Sequence, residues 1–202
     1  MKKGLLILLA LIIASSVFAF TKGTINPGGT ISFAPHKPNS DEKAITMFSF
    51  TPQVGYFVMD NLSADVLINY TYEGQSKGDS NEENSLSALG IGIGGRYFYP
   101  MAPGKIYGGL DFLYNTNSWK VSDYDGGWNA MYLGLKAGYV LPIVENVYVD
   151  FGLRYQMGLG DYGGDDYEHA LDEYKENEES TFGFNLGLQI FFSNDFFISL
   201  LE

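Results

Sequence analysis

Six charged side chains occur within segments that are otherwise apolar, aromatic or small, and such a set could pair or relay charge. Three are acidic and three are basic: Asp65, Asp111, Asp150, Arg96, Lys136 and Arg154. A β-strand would place each charge on one face and its two neighbours on the other. Buried charge without a partner is costly, so a balanced set predicts a salt-bridge network. A path for protons or ions is the alternative, and the balance of charge favours the network.

Catalytic chemistry has few candidates in this sequence. It requires a positioned base together with a nucleophile or an activated water, and the only histidines are His36 and His169. If the two ends of the chain lie side by side, His36 could meet an acid such as Asp166. No serine stands in a G-x-S-x-G nucleophile elbow. We therefore interpret both histidines as polar loop residues and expect neither catalysis nor a cofactor.

Most of the negative charge lies in one segment near the end of the chain. Residues 160–179 contain nine acids against Lys175, which is −8 of the net charge of −12. A solvated acidic loop is one interpretation, and a site for divalent cations beside anionic lipid head groups is the other. The spacing is not that of an EF-hand: with Asp161 as first ligand, Asp166 falls where glycine is required and Asp172 where glutamate is. The sign of the charge disfavours nucleic acid as a partner.

The elements that would position these residues are β-strands, because bulky and small residues alternate with a period of two. Residues 181–192, TFGFNLGLQIFF, are an example, with glycine and amide residues between the bulky ones. Helical periodicity is nearly absent. Eight segments of this kind are predicted, at about 22–34, 44–58, 62–73, 85–99, 105–117, 128–141, 147–159 and 180–192.

The linkers between the segments alternate strictly between short and long. Short ones fall near 59–61, 100–104 and 142–146, and long polar ones near 35–43, 74–84, 118–127 and 160–179. Short periplasmic turns and long outer loops are typical of an outer-membrane barrel. Each segment also exceeds the roughly 9–11 residues that a tilted membrane strand needs. The sequence therefore predicts an all-β fold, an eight-stranded antiparallel up-and-down transmembrane β-barrel.

The bulky face of each strand is predicted to point outwards, into lipid. The opposite assignment would turn rows of glycine towards water, whereas a narrow lumen needs glycine beside large inward side chains such as Arg96 and Tyr107. In the last strand the lipid-facing residues would be Phe182, Phe184, Leu186, Leu188, Ile190 and Phe192.

The heights of the inward charges follow from counting along each strand from the short linkers. Asp65, Arg96, Lys136 and Asp150 each lie four to six residues from one, so they are predicted to share a layer near the periplasmic end. Lys136 and Asp150 are predicted to be nearly opposite across the linker at 142–146.

The first 19 residues have the pattern of a secretory signal peptide. Lys2 and Lys3 precede an apolar run, and small residues end at Ala19. The run is shorter than the ~20 apolar residues of a membrane-spanning helix. Residues 20–202 would then be the barrel domain, with the last strand to about 192 and residues 193–202 as a tail. Because the chain has no cysteine, neither a disulfide nor a lipid-bearing cysteine is expected.

The sequence resembles the small outer-membrane β-barrel domain proteins of Gram-negative-type bacteria, eight-stranded barrels of the OmpX and OmpA kind. The resemblance covers essentially all of the mature chain. It rests on KGTINPGGTISFA in the first strand and on GYFVMDNLSADV, GGRYFYP with GKIYGGLDF, and GYVLPIVENVYVDF at the three short turns. It implies a shared architecture with mostly unassigned roles. Such barrels end on an aromatic residue; Phe192 fits that place, although SNDFFISLLE follows it.

These observations predict a monomeric, non-catalytic protein of the cell outer membrane with a polar lumen filled by side chains. Its role would be envelope architecture or surface interaction through acidic outer loops. Its partners would be outer-membrane lipid and, during biogenesis, the barrel-assembly machinery. Two alternatives are a barrel enzyme acting on envelope lipid or peptide and a narrow channel for a small solute.

Overall fold

Eight β-strands make up the chain wherever the computed structural model describes it, at residues 20–36, 45–74, 84–121, 124–164 and 180–193. They are β1 (Ile25–His36), β2 (Ile45–Met59), β3 (Leu62–Gly74), β4 (Asn84–Met101), β5 (Gly104–Val121), β6 (Tyr124–Val144), β7 (Val147–Gly164) and β8 (Thr181–Ile190). No helix in these ranges is long and apolar enough to cross a membrane. The predicted signal peptide and all of the predicted tail except Ser193 lie outside the described residues.

The strands form one closed antiparallel barrel in chain order, and β1 pairs with β8 to complete the ring. The all-β, eight-stranded prediction is confirmed, and each predicted segment overlaps one observed strand. The last strand ends at Ile190, two residues before the predicted limit. Phe192 continues the pairing only as an isolated bridge to Ile25.

The prediction of a long linker at 118–127 is wrong. β5 and β6 remain paired up to Val121 and Tyr124, so only residues 122–123 separate them. The hydroxyl of Thr116 donates to the Asn129 side chain at 3.0 Å across this hairpin. The error has a physical reason: this stretch is polar and glycine-rich, so hydrophobic alternation stops although the backbone ladder continues. β7 likewise extends to Gly164, into the predicted linker at 160–179.

The two faces of the barrel wall differ in exposure as the alternation predicts. Ile93 on β4 is 64% exposed and Phe184 on β8 is 63% exposed, whereas Leu67 and Leu113 on the other phase are 1% and 0% exposed. In β8 the predicted outward residues Phe182, Leu186 and Leu188 are also exposed, and Ile190 and Phe192 are half-buried. The apolar side chains therefore lie mainly on the outside of the barrel.

Glycines on the inward phase leave space for the large inward side chains. Tyr107 of β5 lies over two of them: a Cβ at Gly138 would be 2.6 Å from its ring, and one at Gly152 would be 2.6 Å from its hydroxyl. The outward Gly108, next to Tyr107 in the chain, has no atom within 4 Å of such a Cβ. The glycines inside the barrel are thus required by packing rather than by backbone conformation.

Replacing Gly138 by alanine should destabilise the barrel, because its methyl group would overlap the Tyr107 ring. We expect a loss of about 1–3 kcal/mol in the free energy of unfolding, measured by denaturant titration in detergent micelles. Gly108→Ala is the matched control, since it changes the same residue type one strand away on the open outer face. Equal losses from the two variants would contradict the assignment of inner and outer faces.

Candidate functional site: the barrel interior

An aromatic layer closes the end of the barrel where β2–β3, β4–β5 and β6–β7 turn. Its buried members are Phe20, Phe57, Phe98, Tyr107, Val140, Tyr148 and Phe191. Phe20 lies before β1 and Phe191 after β8, so the layer is built in part from residues outside the strands. Lys105 is 1% exposed, with its ammonium 4.3 Å from the centre of the Phe20 ring. This layer seals the end of the barrel that the sequence predicts to face the periplasm.

A polar network lies next to this layer, and Arg96 of β4 is its centre. The guanidinium donates to both carboxylate oxygens of Asp65 on β3, at 2.7 and 3.1 Å, and to the Asn26 side chain on β1 at 2.7 Å. Two oxygens of one carboxylate match the planar guanidinium well. Arg96 is 2% exposed, and its guanidinium carbon Cζ is 5.2 Å from the centre of the Phe98 ring. The network is therefore attached directly to the aromatic layer.

Asp150 of β7 receives hydrogen bonds from neutral groups. The Tyr107 hydroxyl donates to it at 2.9 Å, and the Gln189 amide of β8 donates at 2.9 Å. Gln53 of β2 connects this pair to Arg96. When the Gln53 amide is oriented with its oxygen towards these donors, the oxygen accepts from the Arg96 guanidinium at 2.8 Å and from the Gln189 amide at 2.9 Å. Polar contacts thus continue around the lumen through side chains of β1, β2, β3, β4, β5, β7 and β8.

A second ionic cluster joins β5, β6 and β7. Asp111 binds Lys136 at 2.8 Å and Arg154 at 2.7 Å, and its side chain is fully buried. The three residues lie close together on neighbouring strands. Lys136 of β6 pairs directly with Arg154 of β7, and Asp111 of β5 pairs with Gly134, two residues before Lys136. One carboxylate is shared by two cations, so this triad carries one net positive charge.

The structure places all six predicted charges inside the barrel, but not in the predicted arrangement. The prediction that Lys136 and Asp150 are nearly opposite is wrong: Asp150 pairs with Val140, and Lys136 pairs with Arg154. The turn is centred later than predicted: Val144 pairs with Val147, so Lys136 lies eight residues from the last pair and Asp150 only three. The four charges predicted to share one layer are divided, since Lys136 belongs to the Asp111 triad.

Several residues of this interior were not predicted from the sequence. The inward direction of Phe98 and Tyr107 was predicted and is confirmed, but the aromatic layer that they form with Phe57 was missed. The amides Asn26, Gln53 and Gln189 were missed as network members. Their inward phase was a usable signal, since a polar side chain between bulky outward neighbours must find partners inside the barrel.

Space in the lumen is limited. A cavity of about 10 Å³ lies between the two ionic groups, bordered by Arg96, Lys136, Asp150 and Arg154 among others. That volume corresponds to roughly one water molecule. Further from the aromatic layer, Leu67 and Leu113 are buried against Gly92. The described part of the lumen is therefore packed with side chains.

Metal and catalytic candidates find little support in the described ranges. No group of three or more histidine, cysteine or acidic residues that could hold a metal ion occurs among the described residues. Asp166, His169 and most of the acidic segment 160–179 lie outside them. His36 ends β1, and only its backbone is described.

The shared carboxylate makes the triad respond asymmetrically to mutation. Asp111→Asn should leave two buried cations opposed, with a loss of ~3–5 kcal/mol. Lys136→Met should cost less than about 2 kcal/mol, because it leaves the Asp111–Arg154 pair intact. Denaturant unfolding in micelles measures both. The double variant should be much less damaging than the sum of the two. Lys136→Met and Asp150→Asn should couple more weakly, because Lys136 forms its ion pair with Asp111 and not with Asp150; equal coupling in the two cycles would contradict the triad.

No family model matches the sequence, and no curated protein matches it either. Solved structures do. Neisserial surface protein A is 17% identical, with a TM-score of 0.51 over 83% of this chain and 95% of that one. Ail, the attachment invasion locus protein of Yersinia pestis, is 11% identical, with a TM-score of 0.54 over 85% and 100%. The outer membrane protein OprG from Pseudomonas aeruginosa is 12% identical, with a TM-score of 0.54 over 85% and 97%.

At these identities the similarity establishes the fold. The likeness extends over more than four-fifths of this chain and nearly all of each neighbour, so it concerns the whole barrel rather than a fragment. This chain has the fold of the small eight-stranded outer-membrane β-barrels.

Proposed function

We propose that the protein is an integral outer-membrane barrel with a non-catalytic, non-conducting role, which holds a polar hairpin and acidic loops at the cell surface. The observation that carries this proposal is the polarity of the wall: apolar side chains face outwards, and ion pairs, amides and aromatic rings fill the interior. In water, an apolar surface around the whole barrel would be unfavourable. Outer-membrane lipid is the environment that this surface fits.

Tyrosines on the outer face support the same placement. Tyr56, Tyr97 and Tyr99 are exposed near the short turns, and Tyr70, Tyr72 and Tyr114 are exposed towards the other end. Aromatic residues at both borders of an apolar band are typical of membrane barrels, because their amphipathic rings lie at the level of the lipid head groups. The apolar residues between these two sets would then span the hydrocarbon region.

The β5–β6 hairpin supports a surface role. On β5 the outward residues change from Phe112 and Tyr114 to Thr116 and Ser118, and the strand continues to Val121. Seven residues beyond Tyr114 correspond to roughly 20 Å along the strand. A polar, fully paired hairpin of this length would project beyond the membrane as a stable surface element.

The acidic segment 160–179 indicates which partners its charge would favour. With a net charge of −8, it would attract cationic groups or divalent cations and repel polyanions. Ail has been crystallised with the heparin analogue sucrose octasulfate, a polyanion of the kind that the acidic segment of this chain would repel. During biogenesis the barrel-assembly machinery would be a partner, and the mature barrel would be a monomer in lipid.

The two alternative functions are less well supported. A channel would need a continuous lumen, whereas the described interior has a sealed aromatic end and a cavity of about 10 Å³. An enzyme would need a base beside a nucleophile or an activated water, and the described interior instead binds its carboxylates to arginine, lysine, tyrosine and amide groups.

Lipid contact predicts that the cost of an outward charge depends on its depth. Leu186→Arg, at mid-strand on β8, should lose about 2–4 kcal/mol of folding free energy in lipid vesicles. Val144→Arg is the matched control, because Val144 is 63% exposed but lies beside the β6–β7 turn; it should lose less than about 1 kcal/mol. Denaturant unfolding from vesicles measures both. Similar losses would contradict placement in a bilayer.

Orientation can be tested because the chain has no cysteine, so a single introduced thiol reports its own location. Ser118→Cys, on the projecting β5–β6 hairpin, should react in intact cells with a maleimide coupled to a polymer too large for porins. Glu145→Cys, in the exposed turn between β6 and β7, should react only after the outer membrane is permeabilised. The reverse pattern, or labelling of both in intact cells, would contradict the proposed orientation.

A further inference from the structure

The seam between β1 and β8 is the shortest strand pairing of the barrel. It runs from Gly28–Gln189 to Phe33–Phe184, six residues on each strand. The β4–β5 pairing, by contrast, runs from Asn84–Val121 to Met101–Gly104. Pairing of β1 with β8 also closes the ring, so the barrel is joined along its shortest ladder.

Additional contacts fasten this seam below its last regular pair. Ile25 and Phe192 exchange backbone hydrogen bonds of 2.9 Å in each direction. The Asn26 side chain donates to the Ile190 carbonyl at 2.9 Å. These contacts hold the residues at the end of β8 and just after it beside the first residues of β1.

Phe20 occupies the centre of the aromatic layer at this point, although it lies five residues before β1 begins. Its ring is stacked on Phe191, with centroids 3.8 Å apart and planes 8° from parallel. It makes edge contacts with Phe57, Phe98 and Tyr148, at centroid distances of 5.2, 5.2 and 5.6 Å. The residue is 7% exposed. One ring thus contacts side chains of β2, β4 and β7 and the residue that follows β8.

The backbone of the same segment is held by the β2–β3 turn. Phe20 N–H donates to the Asn61 side chain at 3.0 Å, and Asn61 N–H donates back to the Phe20 carbonyl at 2.8 Å. Lys22 N–H donates to Asp60 at 2.9 Å, and Gly23 N–H donates to the Phe57 carbonyl at 2.8 Å. Gly23 has a φ of 90°, a conformation that favours glycine, where the segment turns towards β1.

We propose that residues 20–24 are a clasp that keeps the β1–β8 seam closed, with the Phe20 ring as its inserted part. Two interactions of that ring require aromaticity: the parallel stack on Phe191 and the Lys105 ammonium over its face. Leucine at position 20 would fill much of the space and lose both. The clasp adds to the β1–β8 ladder a contact between side chains that lie just before β1 and just after β8.

Hydrogen–deuterium exchange of the full exported protein in micelles tests the clasp, because it reports local opening of each strand. Phe20→Leu should increase exchange on the order of tenfold at the backbone amides of residues 28–33 and 184–189. Amides of the β4–β5 pairing should keep their rates. Phe191→Leu should give the same pattern, since it removes the other ring of the stack. Lys105→Met should open the seam in the natural background and add little to Phe20→Leu.

Phe112→Leu is the matched control, because Phe112 is an exposed phenylalanine on the outer face of β5, away from the seam; it should leave seam exchange unchanged. Position 20 follows the predicted cleavage site after Ala19, so the mass of each purified variant verifies that its N-terminus is unaltered. Phe191→Leu lies far from that site in sequence and tests the same stack if processing changes. Uniform acceleration in all eight strands, or no difference between Phe20→Leu and Phe112→Leu, would overturn the clasp.

Discussion

Every strand of this barrel has a paired neighbour on both sides, because β1 bonds to β8 as well as to β2. Closure satisfies backbone donors and acceptors within the ring, which is what a sheet needs when its outer surface is apolar. It also fixes the size of the interior, since eight strands enclose a space only wide enough for side chains. The packing of the lumen, the position of its charges and the need for a sealed seam all follow from that closure.

Within so narrow a space, large inward residues can be accommodated only opposite small ones. Tyr107 lies over Gly138 and Gly152, and a side chain at Gly109 would meet Arg96. The glycines of this chain are therefore part of its packing, not signs of flexibility. They allow long polar side chains to cross the lumen and reach partners on other strands, as Arg96 does when it bonds to Asn26 of β1.

The six charges predicted to face inwards are stabilised in three different ways. Arg96 and Asp65 form a balanced, two-point pair. Asp111 is shared by Lys136 and Arg154, whereas Asp150 accepts from a hydroxyl and an amide. The positive excess of the triad and the negative charge of Asp150 face the same small cavity. The six charges of these two groups thus sum to zero although neither group is neutral by itself, so their proximity lowers the cost of burying them. Lys105 in the aromatic layer is a further buried cation.

The layers of the interior also have different structural roles. The aromatic layer excludes water at the end with the short turns, and the ionic groups connect strands above it. Leu67 and Leu113 then form a second apolar contact further along the lumen. Apolar contacts on either side keep water away from the ion pairs, so their electrostatic attraction is less screened than at a surface.

The number of strands, their order and the direction of their apolar face were determined by the sequence alone. Each depends on a local property: a period of two along a strand, and polar linkers between the strands, of which the one predicted to be long at 118–127 is only two residues. The sequence also placed six charges on the inward phase, since phase is counted along one strand, but it missed Lys105, a seventh buried charge on the same phase of β5. In residues 181–192, for example, the alternation of bulky and small residues shows by itself which side chains share a face of the strand.

Only the tertiary structure decided which inward groups meet. Closing a barrel staggers its strands, and register shifts such as the one between Pro142 and Val144 alter heights further. Lys136 therefore reaches Asp111 rather than Asp150, although both acids lie on the inward phase. The continuation of the β5–β6 hairpin to Val121 rests on backbone pairing, which leaves no hydrophobic pattern. The position of Phe20 depends on the two ends of the chain meeting in space, and no local property of a sequence records that.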